Sequence, residues 1–321
     1  MTVSQQQALV SLLGDGDAAT IGLVKGQLVQ GGDACLAEYT ELLRHAKGPA
    51  RERLREVIQE IEASRTLGDV SRGLAKLKTL SQLEDVCWDF TRTVHPGFEG
   101  GPYARQLDQW SEGVARLIAP DASSREKVLC LARYLGQEQG IGGSGDDYYH
   151  PRNGYLPWAM EFRCGLPITL TLIYILVGHR LNIPVEGIAA PGHFLARLDG
   201  IIFDPYRYGR ILSDGEWEMI AAEVPVKQRP LLTRDCTPMQ TMHRLMINLR
   251  NCYVKRNDVT GRKMVDHYLA VFNADDLGLG PGGCSGGGGF PRVTAPEAPF
   301  WARRWYLVVA TGGLSAFYSE K

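Results

Sequence analysis

The run LPITLTLIYILVG, residues 166–178, constrains this chain more than any other stretch. It carries no charged residue, and its few polar groups mark out no polar face. A helix that is apolar all round has to be surrounded by other elements, because no side of it can face water cheaply. The run is too short to span a bilayer, which takes about 20 apolar residues, and His179 and Arg180 follow it at once. It therefore predicts a buried core helix over 167–181. Pro167 would stand at its first helical position, where a fixed φ and a missing N–H cost nothing.

The residues beyond this helix change character. In IPVEGIAAPGHFLARLDGIIFDPY, short runs at 185–189, 193–198 and 201–204 alternate with Gly and Pro. Such punctuation predicts a small antiparallel sheet packed on the helix. The earlier chain reads as helices. CLAEYTELLRHA and ARERLREVIQEIEASRTL carry apolar residues at three- and four-residue spacing, with Leu54, Val57, Ile58 and Ile61 on one stripe. Helices continue over 81–139, where Ser123 or Ser124 is placed to cap one that runs to 139, with Glu126 completing the cap. Ser213 or Asp214 caps a further helix over 213–224. The fold class is α+β. Four segments are expected: helices over 1–80, the mixed core over 81–235, a helical pair over 236–272, and a Gly-rich linker and irregular tail over 273–321. One helical pair cannot bury its apolar face alone and has to dock on something. GLGPGGCSGGGGFPR, 278–292, has the composition of a disordered linker.

Charge and cysteine usage narrow the setting. Lys and Arg number 35 against 36 Asp and Glu. No basic surplus exists to neutralise phosphates, so neither nucleic acid nor an anionic membrane is an expected partner. Seven scattered cysteines form no C-x-x-C pair. That excludes a zinc ribbon or a disulfide framework and fits a reducing cytoplasm. The N-terminus lacks the basic and apolar regions of a signal peptide, which again predicts a cytoplasmic location. GIGGSG at 140–145 matches G-x-G-x-x-G literally. The dinucleotide reading needs a strand before it and a helix after it. Here a helix precedes and DDYYHPRNG follows, so the segment reads as a flexible loop and no cofactor is indicated.

Three residues carry chemistry. His193 and Asp204 lie eleven positions apart, the separation expected of neighbours on two antiparallel strands. A carboxylate there can hold the imidazole's tautomer and stabilise its cation. Cys164 precedes the helix start, where the dipole favours a thiolate, and His193 could take its proton. Chain order Cys, His, Asp is that of a thiol acyl-transfer triad. A metal held by His150, His193 and Asp204 finds no H-x-x-x-H pairing to support it.

With these residues in view, 148–212 resembles the SirB1 family of transglutaminase-like proteins. The resemblance is carried by Pro151 and Asn153, then GLPITL, RLNIPVEG, PGHFLAR and DPYRYG in order. It implies a papain-like α+β core with His193 and Asp204 at the superfamily's His and Asp positions. It also implies tetratricopeptide-like helices after the core, matched for one pair at 237–272. In active relatives a Cys opens the core helix closely after a Gly. Here Gly165 is followed by Leu166, Pro167 and Ile168, none of which can attack a carbonyl. The leading expectation is thus a binding or scaffolding module for a protein or peptide partner that lacks the standard nucleophile. The alternatives are a thiol hydrolase or acyltransferase using Cys164, His193 and Asp204, and a His193–Asp204 pair that only stabilises its strands.

Overall fold

The computed structural model describes residues 3–15, 17–143, 147–190, 192–224, 229–232 and 234–273. The Gly-rich segment and the tail, with Cys284, lie outside the described residues. The chain divides into two compact units, one within Met1–Gly73 and Asp89–Phe98, the other within Leu74–Trp88 and Glu99–Lys321.

The first unit is helical: α1 (Val3–Asp15), α2 (Ala18–Gln30), α3 (Leu36–His45) and most of α4 (Gly48–Ala75). Asp17 starts α2 by accepting hydrogen bonds from the Ala19 and Thr20 N–H groups at 2.8 and 3.0 Å. The α4 stripe Leu54, Val57, Ile58 and Ile61 is buried with Leu13, Val24, Leu28, Tyr39 and Leu42. Helix-on-helix packing is what that spacing is for.

The second unit is α+β. Its helices before the sheet are the first part of α5 (Leu80–Arg92), then α6 (Gly101–Ala115), α7 (Ser124–Leu131), α8 (Leu156–Phe162) and α9 (Pro167–Arg180). Ser123 forms a capping box with Glu126 at α7. The helix expected to run on to 139 instead changes to π geometry over Ala132–Glu138. Every residue of α9 from Pro167 to Gly178 is buried.

Four strands follow, β1 (Glu186–Ala190), β2 (His193–Leu198), β3 (Ile201–Asp204) and β4 (Arg210–Ile211), antiparallel in the order β1-β2-β3-β4. One face rests on α9, where the Thr171 hydroxyl donates to Phe194 O at 3.1 Å and the Tyr174 ring lies 6.0 Å from Phe203. The other carries Ile188, Ala190 and Leu195 against Trp217 and Ile220 of α10 (Asp214–Ala222), a helix opened by a Ser213–Glu216 capping box.

After the short α11 (Arg229–Leu232) come α12 (Pro238–Lys255) and α13 (Val259–Leu269). α12 buries Leu245, Met246 and Leu249. It docks through Leu249 beside Gly154 and through a 2.8 Å hydrogen bond between the Tyr155 and Tyr253 hydroxyls. No single helix among the described residues is long and apolar enough to cross a membrane; α8 and α9 reach that test only as a pair bent by 89°.

The apolar run of α9 ends in charge. Arg180 bonds Glu84 of α5 through two nitrogens at 2.8 and 2.9 Å, and Asp108 of α6 at 2.7 Å. A cation at a helix C-terminus is favoured by the dipole, and Glu84 is only 8% exposed. Replacing Glu84 by Ala leaves Arg180 desolvated with Asp108 alone. We expect a loss of about 2–4 kcal/mol in urea unfolding, with part of it recovered when Arg180→Met is added, since removing both charges avoids the unpaired one.

Candidate functional site

β2 begins at His193 and β3 ends at Asp204. Ala196 faces Phe203 across the two strands. Continuing that register makes His193 and Asp204 diagonal neighbours on one side of the sheet, close enough for long side chains to meet. They do meet: His193 Nε2 lies 2.9 Å from Asp204 Oδ2, and the residues are 8% and 2% exposed. The carboxylate accepts, so Nε2 carries the hydrogen and the lone pair of the neutral ring sits on Nδ1. Asp204 is itself held. Its Oδ1 accepts from the Tyr206 N–H at 2.9 Å, capping the turn Pro205–Arg207, and Arg207 Nε stands 3.5 Å from Oδ2. The Tyr206 ring stands edge-on to the imidazole, with centroids 5.9 Å apart. From α9, the buried Tyr174 hydroxyl has no hydrogen-bond partner among the described residues, and burial followed by the Asp204 charge pushes its pKa up.

Gly142 and Gly143, within the segment expected to be a flexible loop, are held against this site. Gly142 N donates to Arg163 O at 3.1 Å and Gly143 N to Tyr206 O at 2.8 Å. A Cβ on Gly142 would fall 2.3 Å from the Tyr208 ring, one on Gly143 2.2 Å from the Tyr206 ring, and one on Gly136 2.2 Å from Tyr208 O. These glycines let the chain approach the tyrosines of DPYRYG. Their amides are already engaged by carbonyls, so this is no phosphate cradle. Ser144, Gly145 and Asp146 lie outside the described residues.

Cys164 is half-buried with a free thiol, and among the described residues it makes no hydrogen bond, to His193 or to anything else. Beside it, Arg163 closes α8 in the left-handed region (φ 57°). Its guanidinium lies 4.7 Å over the Trp110 ring with Nη1 buried and without a partner among the described residues, and burial lowers its pKa. α9 then opens with Leu166 as N-cap, which lends no side-chain bond, and with Pro167 and Ile168, both buried. Asn153 ties these segments together. Its carbonyl accepts from Leu166 N at 2.9 Å, and its side-chain amide donates to Asp147 O and Tyr148 O at 3.0 Å each. His150 caps the turn Pro151–Gly154 by accepting the Arg152 N–H at Nδ1, 3.1 Å. Among the described residues no group of three His, Cys, Asp or Glu side chains is placed to hold a metal.

One residue of this region was not singled out by its spacing. Arg244 of α12 donates through Nη2 to Ala190 O at 2.5 Å and to His193 O at 3.2 Å, gripping the carbonyls on either side of the β1–β2 turn. The only signal in the sequence is a charge set in the apolar stretch MHRLM.

Comparison with known proteins places this geometry. Residues 102–247 match the family model of the transglutaminase-like superfamily. That region, just under half of the chain, holds α9, the sheet, Cys164, His193, Asp204 and Arg244. A UPF0162 protein of Xylella fastidiosa (strain 9a5c) is 39% identical over 176 residues, covering 52% of this chain and 63% of the relative. One from strain Temecula1 is 48% identical over 129 residues, covering 39% and 46%. F-box only protein 21 of Mus musculus is 31% identical over 104 residues, 31% of this chain and 17% of that protein. The matches thus span less than two thirds of these relatives' own length. No solved structure matches.

Two outcomes follow from this geometry. Gly143→Ala has to displace the Tyr206 ring, so the His193 ring resonances should move in NMR spectra while those of His45 stay in place. The second concerns pH. Burial first, then Arg152 and Arg256, hold the His150 pKa below its ordinary value, against the pull of Asp147. As pH falls below about 6.5 the unfolded chain takes up this proton before the folded one. His150's contribution to stability is therefore intact above that value and lost as pH drops through the folded-state pKa. His150→Asn, which caps without titrating, should show a shallower loss of denaturant midpoint between pH 7 and pH 5 than the wild type.

Proposed function

We propose that this chain is a SirB1-type protein whose transglutaminase-like domain binds a protein or peptide partner instead of transferring acyl groups. The observation that carries this reading is the first turn of α9. Leu166, Pro167 and Ile168 occupy the place where an active relative presents its nucleophile, and all three are buried. A general base needs a nucleophile within hydrogen-bond reach. Cys164, on the far side of Gly165, shares no hydrogen bond with His193. In this reading the buried His193–Asp204 pair braces the strands beneath a binding surface, and α12–α13 act as a tetratricopeptide-like pair.

Three exposed aromatic side chains support a binding role. Tyr149, Phe162 and Tyr208 are 43%, 53% and 50% exposed; Tyr149 follows Tyr148, whose ring lies 6.3 Å from Tyr206, and Tyr208 lies in the DPYRYG segment after Asp204. Exposed aromatic side chains are enriched at recognition surfaces. The balanced charge and the free cysteines suit a partner in a reducing compartment such as the cytoplasm.

Iodoacetamide labelling of Cys164, followed by mass spectrometry at pH 6, tests the proposal. We expect equal rates in the wild type and in His193→Ala. A wild-type rate ten or more times faster, lost in both His193→Ala and Asp204→Asn, would mean a thiolate–imidazolium pair. That result would overturn the binding reading in favour of a hydrolase or acyltransferase using Cys164, His193 and Asp204.

A further inference from the structure

We infer that the exposed face built from Tyr149, Arg152, Phe162 and Lys255 docks an acidic peptide segment of a protein partner; this rests on the binding reading above and names the partner's chemistry. Two cations on this face are each laid over an aromatic ring. The Arg152 guanidinium lies 4.9 Å from the Phe162 ring centre, and Lys255 Nζ lies 5.7 Å from that of Tyr149. All four residues are exposed. Neither cation meets a carboxylate among the described residues, and nothing among them accepts from the Arg152 guanidinium. A ring beneath a guanidinium holds its plane, and the in-plane N–H groups stay open to a carboxylate at the edge. His150 joins the two pairs: it follows Tyr149 directly, and its Nδ1 accepts the Arg152 N–H at 3.1 Å.

The surroundings are positive although the chain is not. Overall 35 Lys and Arg face 36 Asp and Glu, yet over 238–269, which spans α12 and α13, six Lys and Arg stand against two Asp. Both of those acids are engaged. Asp258 accepts the Gly261 N–H at 2.8 Å, and Asp266 pairs with Arg250 and Arg262. Asp147 pairs with Arg256, and Glu161, beside Phe162, accepts from the Tyr103 hydroxyl at 3.4 Å. His150 feels the positive field: burial first, then Arg152 and Arg256, hold its pKa down against the pull of Asp147. Val254, 44% exposed and next to Lys255, adds apolar surface. Charge complementarity therefore asks for spaced carboxylates with an apolar side chain among them. A nucleic-acid backbone is a poorer match. Its evenly spaced phosphates would meet the Asp147 carboxylate as well as the cations, and the chain has no overall basic surplus to hold them.

The test uses the full chain, with NMR of the His150 and His193 rings. Three probes are titrated: acetyl-Glu-Glu-Phe-Glu-Glu-amide, its neutral counterpart with Gln for every Glu, and an oligouridylate of comparable charge. We expect the acidic peptide to bind saturably and to shift the His150 signals. It should also raise the pH at which that ring titrates, since carboxylates docked nearby favour the cation. The neutral peptide should leave His150 in place. Arg152→Gln and Lys255→Gln alter exposed side chains, so both variants should keep the wild-type urea midpoint. Each should weaken the acidic peptide about threefold, and the double variant about tenfold. Lys47→Gln, the same loss of charge at an exposed position of the first unit, should leave the affinity unchanged. Equal binding of the neutral peptide, wild-type affinity in the double variant, or an equal loss in Lys47→Gln would each overturn the docking face. Oligouridylate that binds more tightly than the peptide, and weakens in the same variants, would overturn it in favour of nucleic acid. A peptide that shifts His193 and leaves His150 in place would remove this face yet keep the binding reading. A fast, His193-dependent Cys164 at pH 6 would remove the binding reading itself.

Discussion

A helix with no polar face can persist in water only if other elements cover every side of it, and α9 imposes that condition on the whole second unit. The sheet takes one side through Phe194 and Phe203, and α6, α8 and α12 pack on others. The charged ending of the run meets Glu84 and Asp108. The strands are short because each has only to cross this one helix and present a second face to α10. The start of α9 is fixed by the same burial, which is why the residues there matter so much. Whatever stands at 166–168 is sealed into the core, and a nucleophile is not among them.

The site at that helix start is built from tight backbone approaches. Tyr206 and Tyr208 follow Asp204 by two and four residues, and each needs a neighbour without a side chain. Gly142 and Gly143 supply one wall, and Gly136 in the π-helical turn supplies another. Insertion of a π turn into a helix is frequent at functional sites; here it falls where Tyr208 O passes Gly136. The Gly-rich stretch that resembles a phosphate loop in letters therefore has a different use, one that letters alone do not reveal.

Electrostatics separates the arginines into two kinds. Arg180, Arg197, Arg250 and Arg256 meet carboxylates and tie elements together. Arg163 and Arg244 meet none among the described residues, and both lie beside residues that a transglutaminase-like reading would place at the site. Burying a cation without a counter-charge is costly, so these two positions are the least self-sufficient part of the region.

Much of the fold was legible in the chain because its signals are local. The apolar run gave α9, the Gly and Pro punctuation gave the hairpins, and the eleven-residue separation already suggested that His193 and Asp204 could be strand neighbours. Caps at Ser123 or Ser124 and at Ser213 or Asp214 were readable as letters because a cap depends on residues three apart; the structure selects Ser123 and Ser213. What the sequence could not show depends on approaches between distant segments. Arg244 reaches back more than fifty residues to the His193 carbonyl, and Gly136, Gly142 and Gly143 are explained only by tyrosines some sixty to seventy residues onward. The placement of Cys164 is of this kind too, since chain order suggested a triad while the turn at Gly165 determines what its thiol meets. The sequence by itself determined the elements and the paired His and Asp. Only the tertiary structure decided which side chains share a site, because that depends on how the elements close around α9.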